Sequence, residues 1–334
     1  MNPLLLASIA LMAVYAIFTG HADSNEASAA FPLPFILGPV ITRSILNDTM
    51  RGFKTIFQRA YEAAFTYSGD LSMRVDSKTQ QEEYRWLGAF PGLKEWIGER
   101  AVKDLTLDGF VIKNRDFEAT VAVGRNDIED DVIGVYAPLF SQLGMNAKQH
   151  PDELIFSLLA QGFTTKCFDN KFFFDTTHAN GTHPDWSNKY VDALTPANFE
   201  TMRSNMMSLV NEEGRPMRVR PSHIIVPPQL EKAALDISRA DLTTGSVSNV
   251  WKNAVDVIVA PELSAHPTYW FLADLKRPIK PFILQMRKEA EFVALDKPNE
   301  ENVFMRKEYI YGVDYRGAAG YGLPHLIAGS TGGA

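Results

Sequence analysis

A helical pattern at residues 138–161 constrains the fold more than any other stretch of this chain. Apolar side chains recur there at helical spacing, a proline stands at the first turn, and Gly162 follows as a C-terminal stop. At 1.5 Å per residue this helix is about 35 Å long. Pro151 lies inside it, so the sequence predicts a kink or local break near residues 149–150. We interpret the segment as a structural spine with one apolar stripe.

An aromatic loop at residues 86–100 carries more large apolar side chains than a short loop can bury against itself. Glycine and proline interrupt it repeatedly, so it is neither helix nor strand. Two interpretations remain open: a core loop folded back on its own domain, or an arm that docks on a neighbouring subunit. On the second interpretation the predicted subunit-interface residues are Trp86, Phe90, Pro91, Leu93, Glu95, Trp96 and Arg100.

The flanking segments predict secondary structure on both sides of this loop. Residues 50–64 have the spacing of an amphipathic helix, and the alternating runs at 71–75 and 102–107 fit the two arms of a long hairpin. Helix and strand alternate over residues 195–261, which indicates a compact α/β unit. From residue 269 to 330 the chain is strand-rich.

Two features near the C-terminus carry separate predictions. The stretch 316–322 is rich in glycine and alanine, which allows close backbone approach and a sharp strand exit. Residues 329–334 have the composition of a free tail.

Composition bounds the class of protein. With 334 residues, 46% hydrophobic and 22% charged, the chain is a folded globular protein of one or two domains. Its net charge of −7 argues against a protein that binds the phosphate groups of nucleic acid. Cys167 is the single cysteine, so no intrachain disulfide forms, which suits a reducing cytoplasm.

The sequence offers no catalytic constellation. Asp175, His178, His183 and Asp185 lie close together in the chain, but their spacing matches no established zinc pattern. Cys167 has no identifiable partner histidine, so we interpret it as a small buried group. Neither Gly-x-Ser-x-Gly nor His-Glu-x-x-His occurs, and no glycine-rich phosphate loop is present. We therefore predict no catalytic, cofactor-binding or metal-binding residues.

Several long motifs resemble the Mu-like phage major head subunit family, over about residues 41–330. They are the aromatic loop in the form Trp-Leu-Gly-x-Phe-Pro-x-Leu-Lys-Glu-Trp-x-Gly-x-Arg, the acidic run at 127–138, Pro-Asp-Glu-Leu-Ile-Phe at 151–156, Phe-Phe-Asp-Thr-x-His at 173–178, and the glycine-rich stretch at 312–322. The resemblance implies an α+β fold of the Hong Kong 97 capsid type.

This resemblance also implies a division of the chain. It makes residues 1–39 an apolar N-terminal extension, 40–69 the N-terminal arm and 70–124 the extended-loop region. The peripheral domain with its spine helix then comprises 125–162 and 264–330, and the axial domain comprises 163–263.

The apolar run at residues 3–20 has its own alternatives. Its length suits a signal-peptide core or a marginal membrane span, but no positive charge precedes Arg43. An export signal, a phage-specific arm and an early start-codon assignment compete. Residue pattern alone favours the signal, whereas the family resemblance places the early start first.

The implied function is a non-enzymatic major capsid protein that self-assembles into an icosahedral shell around the double-stranded DNA of a tailed phage. The implied partners are copies of itself in hexamers and pentamers, a scaffold, a head-maturation protease, a portal and decoration proteins, with no stable membrane partner. DNA would be enclosed without sequence-specific binding, and assembly would take place in the host cytoplasm before the protein becomes part of the virion. Two alternatives remain: an exported α/β hydrolase or ligand-binding protein, and an encapsulin-type compartment shell.

Overall fold

The secondary structure is organised around one long helix and two sheets. The computed structural model describes residues 43–88, 110–129, 132–181, 183–243, 247–297 and 301–333. The helices within these ranges are α1 (Arg43–Ala63), α2 (Ser68–Leu71), α3 (Arg125–Glu129), α4 (Ala137–Gln161), α5 (Pro196–Met207), α6 (Glu231–Ser238) and α7 (Glu301–Arg306).

The strands fall into two larger sheets and three two-stranded pairs. In chain order they are β1 (Ser72–Asp76), β2 (Gln81–Tyr84), β3 (Phe110–Lys113), β4 (Arg115–Gly124), β5 (His178–Asn180), β6 (His183–Trp186), β7 (Lys189–Tyr190), β8 (His223–Val226), β9 (Leu242–Thr243), β10 (Val247–Ser248), β11 (Asp256–Val259), β12 (Trp270–Ala273), β13 (Phe282–Leu295), β14 (Glu308–Tyr321) and β15 (Ile327–Ser330).

The four-stranded sheet has the order β1-β13-β14-β4, and the five-stranded sheet has the order β11-β8-β12-β15-β7. The short strand β8 is apolar without alternation because both of its faces are covered. Ile224 and Val226 belong to one hydrophobic cluster, and Ile225 between them belongs to a second. Since β12 joins the five-stranded sheet and β13 joins the other, the last third of the chain contributes strands to both sheets.

Helix α4 joins two hydrophobic clusters. Its N-terminal half buries Phe140 and Leu143 in a cluster with α1, and its C-terminal half buries Ile155 and Leu159 in a cluster with the five-stranded sheet. Of the kink or local break predicted near residues 149–150, the break was wrong, because the helix is continuous from Ala137 to Gln161, and the kink stays a prediction. The packing of both halves maintains the helix although proline removes one backbone hydrogen bond.

The end of α4 differs in detail from the expected C-terminal stop. Gly162 follows the helix but keeps a right-handed conformation, with φ of −60°. Glycine is needed there because a Cβ would lie 2.7 Å from the ring of Phe174. Close packing, and not a left-handed turn, accounts for this glycine.

Helix α1 packs along the N-terminal half of α4 through aromatic side chains. Phe53 stacks on Phe140 with ring centroids 4.0 Å apart, and Phe57 contacts Phe292 of β13 at 5.5 Å. Gly144 of α4 permits this approach, because a Cβ there would overlap the carbonyl oxygen of Phe57. The predicted amphipathic helix is therefore confirmed, and it starts earlier than expected, at Arg43.

The predicted hairpin arms were partly wrong. Strand β1 pairs in parallel with β13, with Ser72 opposite Phe282, and it is not an arm of the hairpin. The antiparallel arms are β2 and β3, whereas residues 102–107 lie outside the described residues.

The expectation of a free C-terminal tail was also wrong. Gly329 and Ser330 belong to β15, which pairs with β12 on one side and with β7 on the other. Gly329 lies against the ring of Phe271, where a Cβ would be 2.8 Å from the ring carbon. The small side chains that suggested a tail instead allow the strand to fit inside the sheet.

Two predictions from the sequence are not tested by the structure. The division into arm, extended-loop region, peripheral domain and axial domain stays a prediction. The apolar run at residues 3–20 lies outside the described residues, and among the described helices none is long and apolar enough to cross a membrane.

Two glycine substitutions test the close contact between α1 and α4. We expect Gly144→Ala to lower the free energy of unfolding by about 1–3 kcal/mol, because the new methyl group must push α1 away. Gly52→Ala is the matched control, since none of the described residues outside its own helix lies within 4 Å of its added Cβ. The control should raise stability by up to about 1 kcal/mol through helix propensity. Denaturant unfolding of the unassembled subunit measures both, and a stabilising Gly144→Ala would contradict the contact.

Candidate functional site

The strands β2 and β3 flank the aromatic loop in the chain and pair as an antiparallel hairpin. Tyr84 pairs with Phe110 at its outer end, and Gln81 pairs with Lys113 at its inner end. Trp86 lies in the short 3-10 turn Arg85–Gly88 that follows β2. The other predicted interface residues, Phe90, Pro91, Leu93, Glu95, Trp96 and Arg100, lie outside the described residues, so their role stays a prediction.

A buried amide attaches the paired strands β2 and β3, which we call the hairpin root, to the four-stranded sheet. Gln285 of β13 is fully buried, and its Oε1 accepts a hydrogen bond of 2.9 Å from the hydroxyl of Tyr84. Its Nε2 donates to the carbonyl oxygen of Ile112 at 3.2 Å and to Oδ1 of Asn114 at 2.8 Å. Both arms of the hairpin are thus bonded to one side chain. Burial raises the pKa of Tyr84 far above its ordinary value, so its hydroxyl stays protonated and donates.

The same network continues into the turn before β2. Asn114 donates from Nδ2 to Oγ of Ser77 and to the carbonyl oxygen of Thr79, each at 2.9 Å. Ser77 in turn donates to Oε1 of Glu82 at 2.9 Å, and its amide donates to the carbonyl oxygen of Met286. Since each buried polar group has a partner, the network is rigid and specifies one position for the root.

The glycine-rich stretch 316–322 brings the hairpin close to β14. A Cβ on Gly320 would overlap the side chain of Ile112, and one on Gly317 would lie 2.7 Å from the carbonyl oxygen of Gln285. The expected close backbone approach is therefore confirmed. Strand β14 ends at Tyr321, so the strand exit also lies within this stretch, and a Cβ on Gly322 would be 2.9 Å from the carbonyl oxygens of Lys280 and Pro281.

The four residues weighed for a metal site from the sequence do not come together. Asp175 accepts hydrogen bonds from the amides of Thr176, Thr177 and Phe172, so it stabilises its own turn. Of the four, only His178 belongs to a group with metal-ligand geometry among the described residues.

That group consists of Cys167, Asp169 and His178, whose ligand atoms all lie within 4.8 Å of one another. Nδ1 of His178 lies 2.6 Å from Oδ2 of Asp169, and the thiol of Cys167 donates to Oδ1 at 3.1 Å. Burial by itself would raise the pKa of Asp169, but the hydrogen bonds from His178 and Cys167 outweigh it and lower the pKa. Burial strongly raises the pKa of the Cys167 thiol, which is therefore a poor nucleophile.

Aromatic stacking surrounds this group. The indole of Trp186 lies between the imidazoles of His178 and His325, with centroid distances of 4.4 and 4.1 Å. Burial lowers the pKa of His325 to about 3, so its ring is neutral at physiological pH. The stack closes one side of a polar cavity of about 70 Å³ that Asp169 and His178 also line.

Sequence reasoning missed both polar networks. One signal was available for the first: Gln285 interrupts the apolar run at residues 282–286, at the start of β13, and a buried amide requires hydrogen-bond partners. Nothing local indicated which partners it has, because Tyr84 and Asn114 lie more than 170 residues away in the chain.

Replacing Gln285 tests whether the network holds the hairpin root. We expect Gln285→Leu to lower the free energy of unfolding by about 2–5 kcal/mol, because the hydroxyl of Tyr84 and Oδ1 of Asn114 are left buried without a partner. Hydrogen exchange should quicken first in β2 and β3. Gln142→Leu is the control, since Gln142 bonds only an exposed neighbour on α4, and its effect should stay within about 0.5 kcal/mol. Unchanged exchange in the hairpin would refute the assignment.

The carboxylate of Glu82 predicts a response to acid. Hydrogen bonds from Ser77, then from Lys78 and Thr79, lower its pKa below the usual 4.5. A lowered folded pKa means that its stabilising contribution is complete above about pH 4.5 and is lost as the pH falls through the folded pKa. The amide resonances of Lys78 and Thr79 should titrate with a midpoint below 4.5, and not at all in Glu82→Gln. A midpoint at or above 4.5 would show that these bonds do not favour the carboxylate.

Comparisons with known proteins agree with the motifs. The sequence pattern of the family described as "Mu-like prophage major head subunit gpT" matches residues 46–193, 186–263 and 264–332. The major capsid protein of Escherichia phage Mu is 32% identical over 284 residues, which are 85% of this chain and 72% of that protein. The Mu-like prophage FluMu major head subunit of Haemophilus influenzae is 30% identical over 292 residues, which are 86% and 75%.

A solved structure supports the same assignment. A chain from the procapsid of bacteriophage JBD30 superposes with a TM-score of 0.59 and 31% identity, covering 87% of this chain and 76% of that one. The predicted Hong Kong 97-type capsid fold is confirmed by this likeness. Nothing in the comparisons supports the exported hydrolase or the compartment shell. The chain belongs to the Mu-like phage major head subunit family, and it is a structural major capsid protein rather than an enzyme.

Proposed function

We propose that this chain assembles with copies of itself, as hexamers and pentamers, into the icosahedral shell that encloses the double-stranded DNA of a Mu-like tailed phage. Membership of the major head subunit family supports the shell, and the JBD30 procapsid provides a structural relative that forms one. The net charge of −7 suits a wall that encloses DNA without adhering to it, because weak repulsion prevents unspecific binding.

The aromatic loop is the proposed contact between subunits. This proposal is supported by the hydrogen bonds of the hairpin root. The strands on both sides of the loop are bonded to one buried side chain, Gln285. A loop that leaves a rigid base loses little conformational entropy when it docks on a neighbour. Its tryptophans and arginine are residue types that dominate binding energy at protein interfaces. Trp86, Phe90, Pro91, Leu93, Glu95, Trp96 and Arg100 are the proposed contact residues.

The finer organisation follows the family resemblance. Helix α1 then belongs to the N-terminal arm (40–69), β2 and β3 to the extended-loop region (70–124), and α4 is the spine of the peripheral domain. We propose a scaffold, a head-maturation protease, a portal and decoration proteins as further partners, with assembly in the host cytoplasm. The buried single thiol of Cys167 is compatible with assembly in a reducing compartment.

Trp96→Ala tests the proposed contact. If Trp96 docks on a neighbour, the variant subunit should fold with an unchanged melting temperature and fail to form particles in electron microscopy. Truncation of an interface tryptophan costs about 2–4 kcal/mol per contact, and a shell repeats this loss at every subunit. Trp270→Ala is the matched control, because Trp270 is 1% exposed in the five-stranded sheet. It should cost about 3–5 kcal/mol of folding stability.

The two substitutions separate the interpretations of the loop. A large fall in the melting temperature of the unassembled Trp96→Ala subunit, like that of the control, would show that Trp96 is a core residue. Normal particles from a normally stable variant would remove Trp96 from the interface. The shell itself would be refuted if the wild-type chain stayed a monomer over a wide range of concentration and salt, even with its scaffold present.

A further inference from the structure

The amide of Asn188 has only one possible orientation. Its Nδ2 lies 2.8 Å from the carbonyl oxygen of Phe173 and 3.2 Å from those of Pro324 and Ile327, so this atom must be the donor. Its Oδ1 accepts a hydrogen bond of 3.0 Å from the amide of Asp175. The reverse orientation would place an oxygen against three carbonyl oxygens. Oδ1 of Asn188 therefore acts only as an acceptor.

This orientation determines where the imidazole of His178 carries a proton. Nε2 of His178 lies 3.2 Å from Oδ1 of Asn188, so Nε2 must carry a hydrogen and donate it. Nδ1 of the same ring lies 2.6 Å from Oδ2 of Asp169. In a neutral ring protonated on Nε2, Nδ1 is a lone pair facing a carboxylate. Such a contact requires a positive charge between the two atoms, either a second proton or a metal ion.

A third donor lies at the same place. Sγ of Cys167 is 3.1 Å from Oδ1 of Asp169, and Cys167 and His178 are buried, with relative exposures of 5% and 1%. Sulfur, imidazole nitrogen and carboxylate oxygen are the three ligand types of zinc sites. The adjacent cavity of about 70 Å³ has room for water as a fourth ligand.

We propose that Cys167, Asp169 and His178 bind one Zn²⁺ ion. The ion replaces two protons, that of the thiol and the one otherwise needed between Nδ1 and the carboxylate, and both are released to solvent. The thiol becomes a thiolate on binding, as coordination to zinc requires. Ligand distances of about 2.0–2.3 Å are reached when the carboxylate of Asp169, whose side chain is 20% exposed, moves slightly away from the ring.

Asn188 is the outer partner that such a site needs. A metal-bound histidine donates its remaining ring N–H to an oxygen acceptor, which sets the tautomer and the direction of the lone pair. Asn188 does this for His178, and the contacts of its Nδ2 with the carbonyl oxygens of Pro324 and Ile327 connect the site to the turn before β15 and to β15 itself. The ion would thus tie the turn after α4 to the five-stranded sheet. A proton between Nδ1 of His178 and the carboxylate of Asp169 would involve only these two residues. A zinc ion would also bind Cys167 and so accounts for its position.

Cobalt substitution tests the proposal on the full-length subunit. After removal of metal by a chelator, we expect one Co²⁺ per chain, a thiolate-to-cobalt charge-transfer band in the near ultraviolet, and visible bands with the intensity of a tetrahedral site. Zn²⁺ should displace the cobalt and raise the melting temperature. Cys167→Ser should abolish the charge-transfer band and weaken affinity by more than the about 10–100-fold that loss of an outer partner costs.

Asp185→Asn is the matched control, because Asp185 is exposed in the same region and lies outside the group. It should bind cobalt as the wild type does, whereas Asp169→Asn should not. If the variants fail to fold, NMR of the metal-free and zinc-loaded wild type decides. Loss of the Nδ1 proton of His178 on addition of zinc supports the site. No binding of Co²⁺ or Zn²⁺, with His178 protonated on both nitrogens throughout, would overturn it and leave an imidazolium–carboxylate pair.

Discussion

The hydrogen bonds of the Gln285 side-chain amide hold the hairpin of β2 and β3 against the four-stranded sheet. The amide is fully buried, it uses its oxygen and both amide hydrogens, and it bonds both arms of the hairpin that leads into the aromatic loop. A buried amide is costly without partners, so the sheet and the hairpin root can form only in one relative position.

Helix α4 likewise holds other parts of the subunit in defined positions. Its two halves belong to different hydrophobic clusters, one with α1 and one with the five-stranded sheet. Midway along it, the buried carboxylate of Asp152 accepts hydrogen bonds of 2.8 and 2.7 Å from the amides of Tyr67 and Ser68. Burial raises the pKa of Asp152, and these two bonds oppose that shift. The helix therefore connects α1, the five-stranded sheet and the turn before β1.

The polar residues around His178 stabilise the chain that follows the C-terminal end of α4. Asn188 joins three backbone carbonyls there, and Trp186 stacks between two imidazoles. The chain between α4 and α5 has only short strands, so hydrogen bonds and stacking replace a sheet as its source of order. This explains a concentration of histidine, asparagine and aspartate in a protein that is not an enzyme.

The sequence by itself determined the elements whose signal is local. The stripe of α4, the amphipathic helix α1 and the alternation of helix and strand over residues 195–261 are read from spacing and residue type, and the long motifs identify the family. Only the tertiary structure decided which strands pair with one another. Periodicity shows that a strand has a buried face but not what covers it, so β1 pairs with β13 about 210 residues away, and a glycine-rich end becomes the inner strand β15. Likewise Asp175, His178, His183 and Asp185 lie close together in the sequence, but among the described residues His178 forms a polar group with Cys167 and Asp169 instead, because the path of the backbone decides which side chains meet.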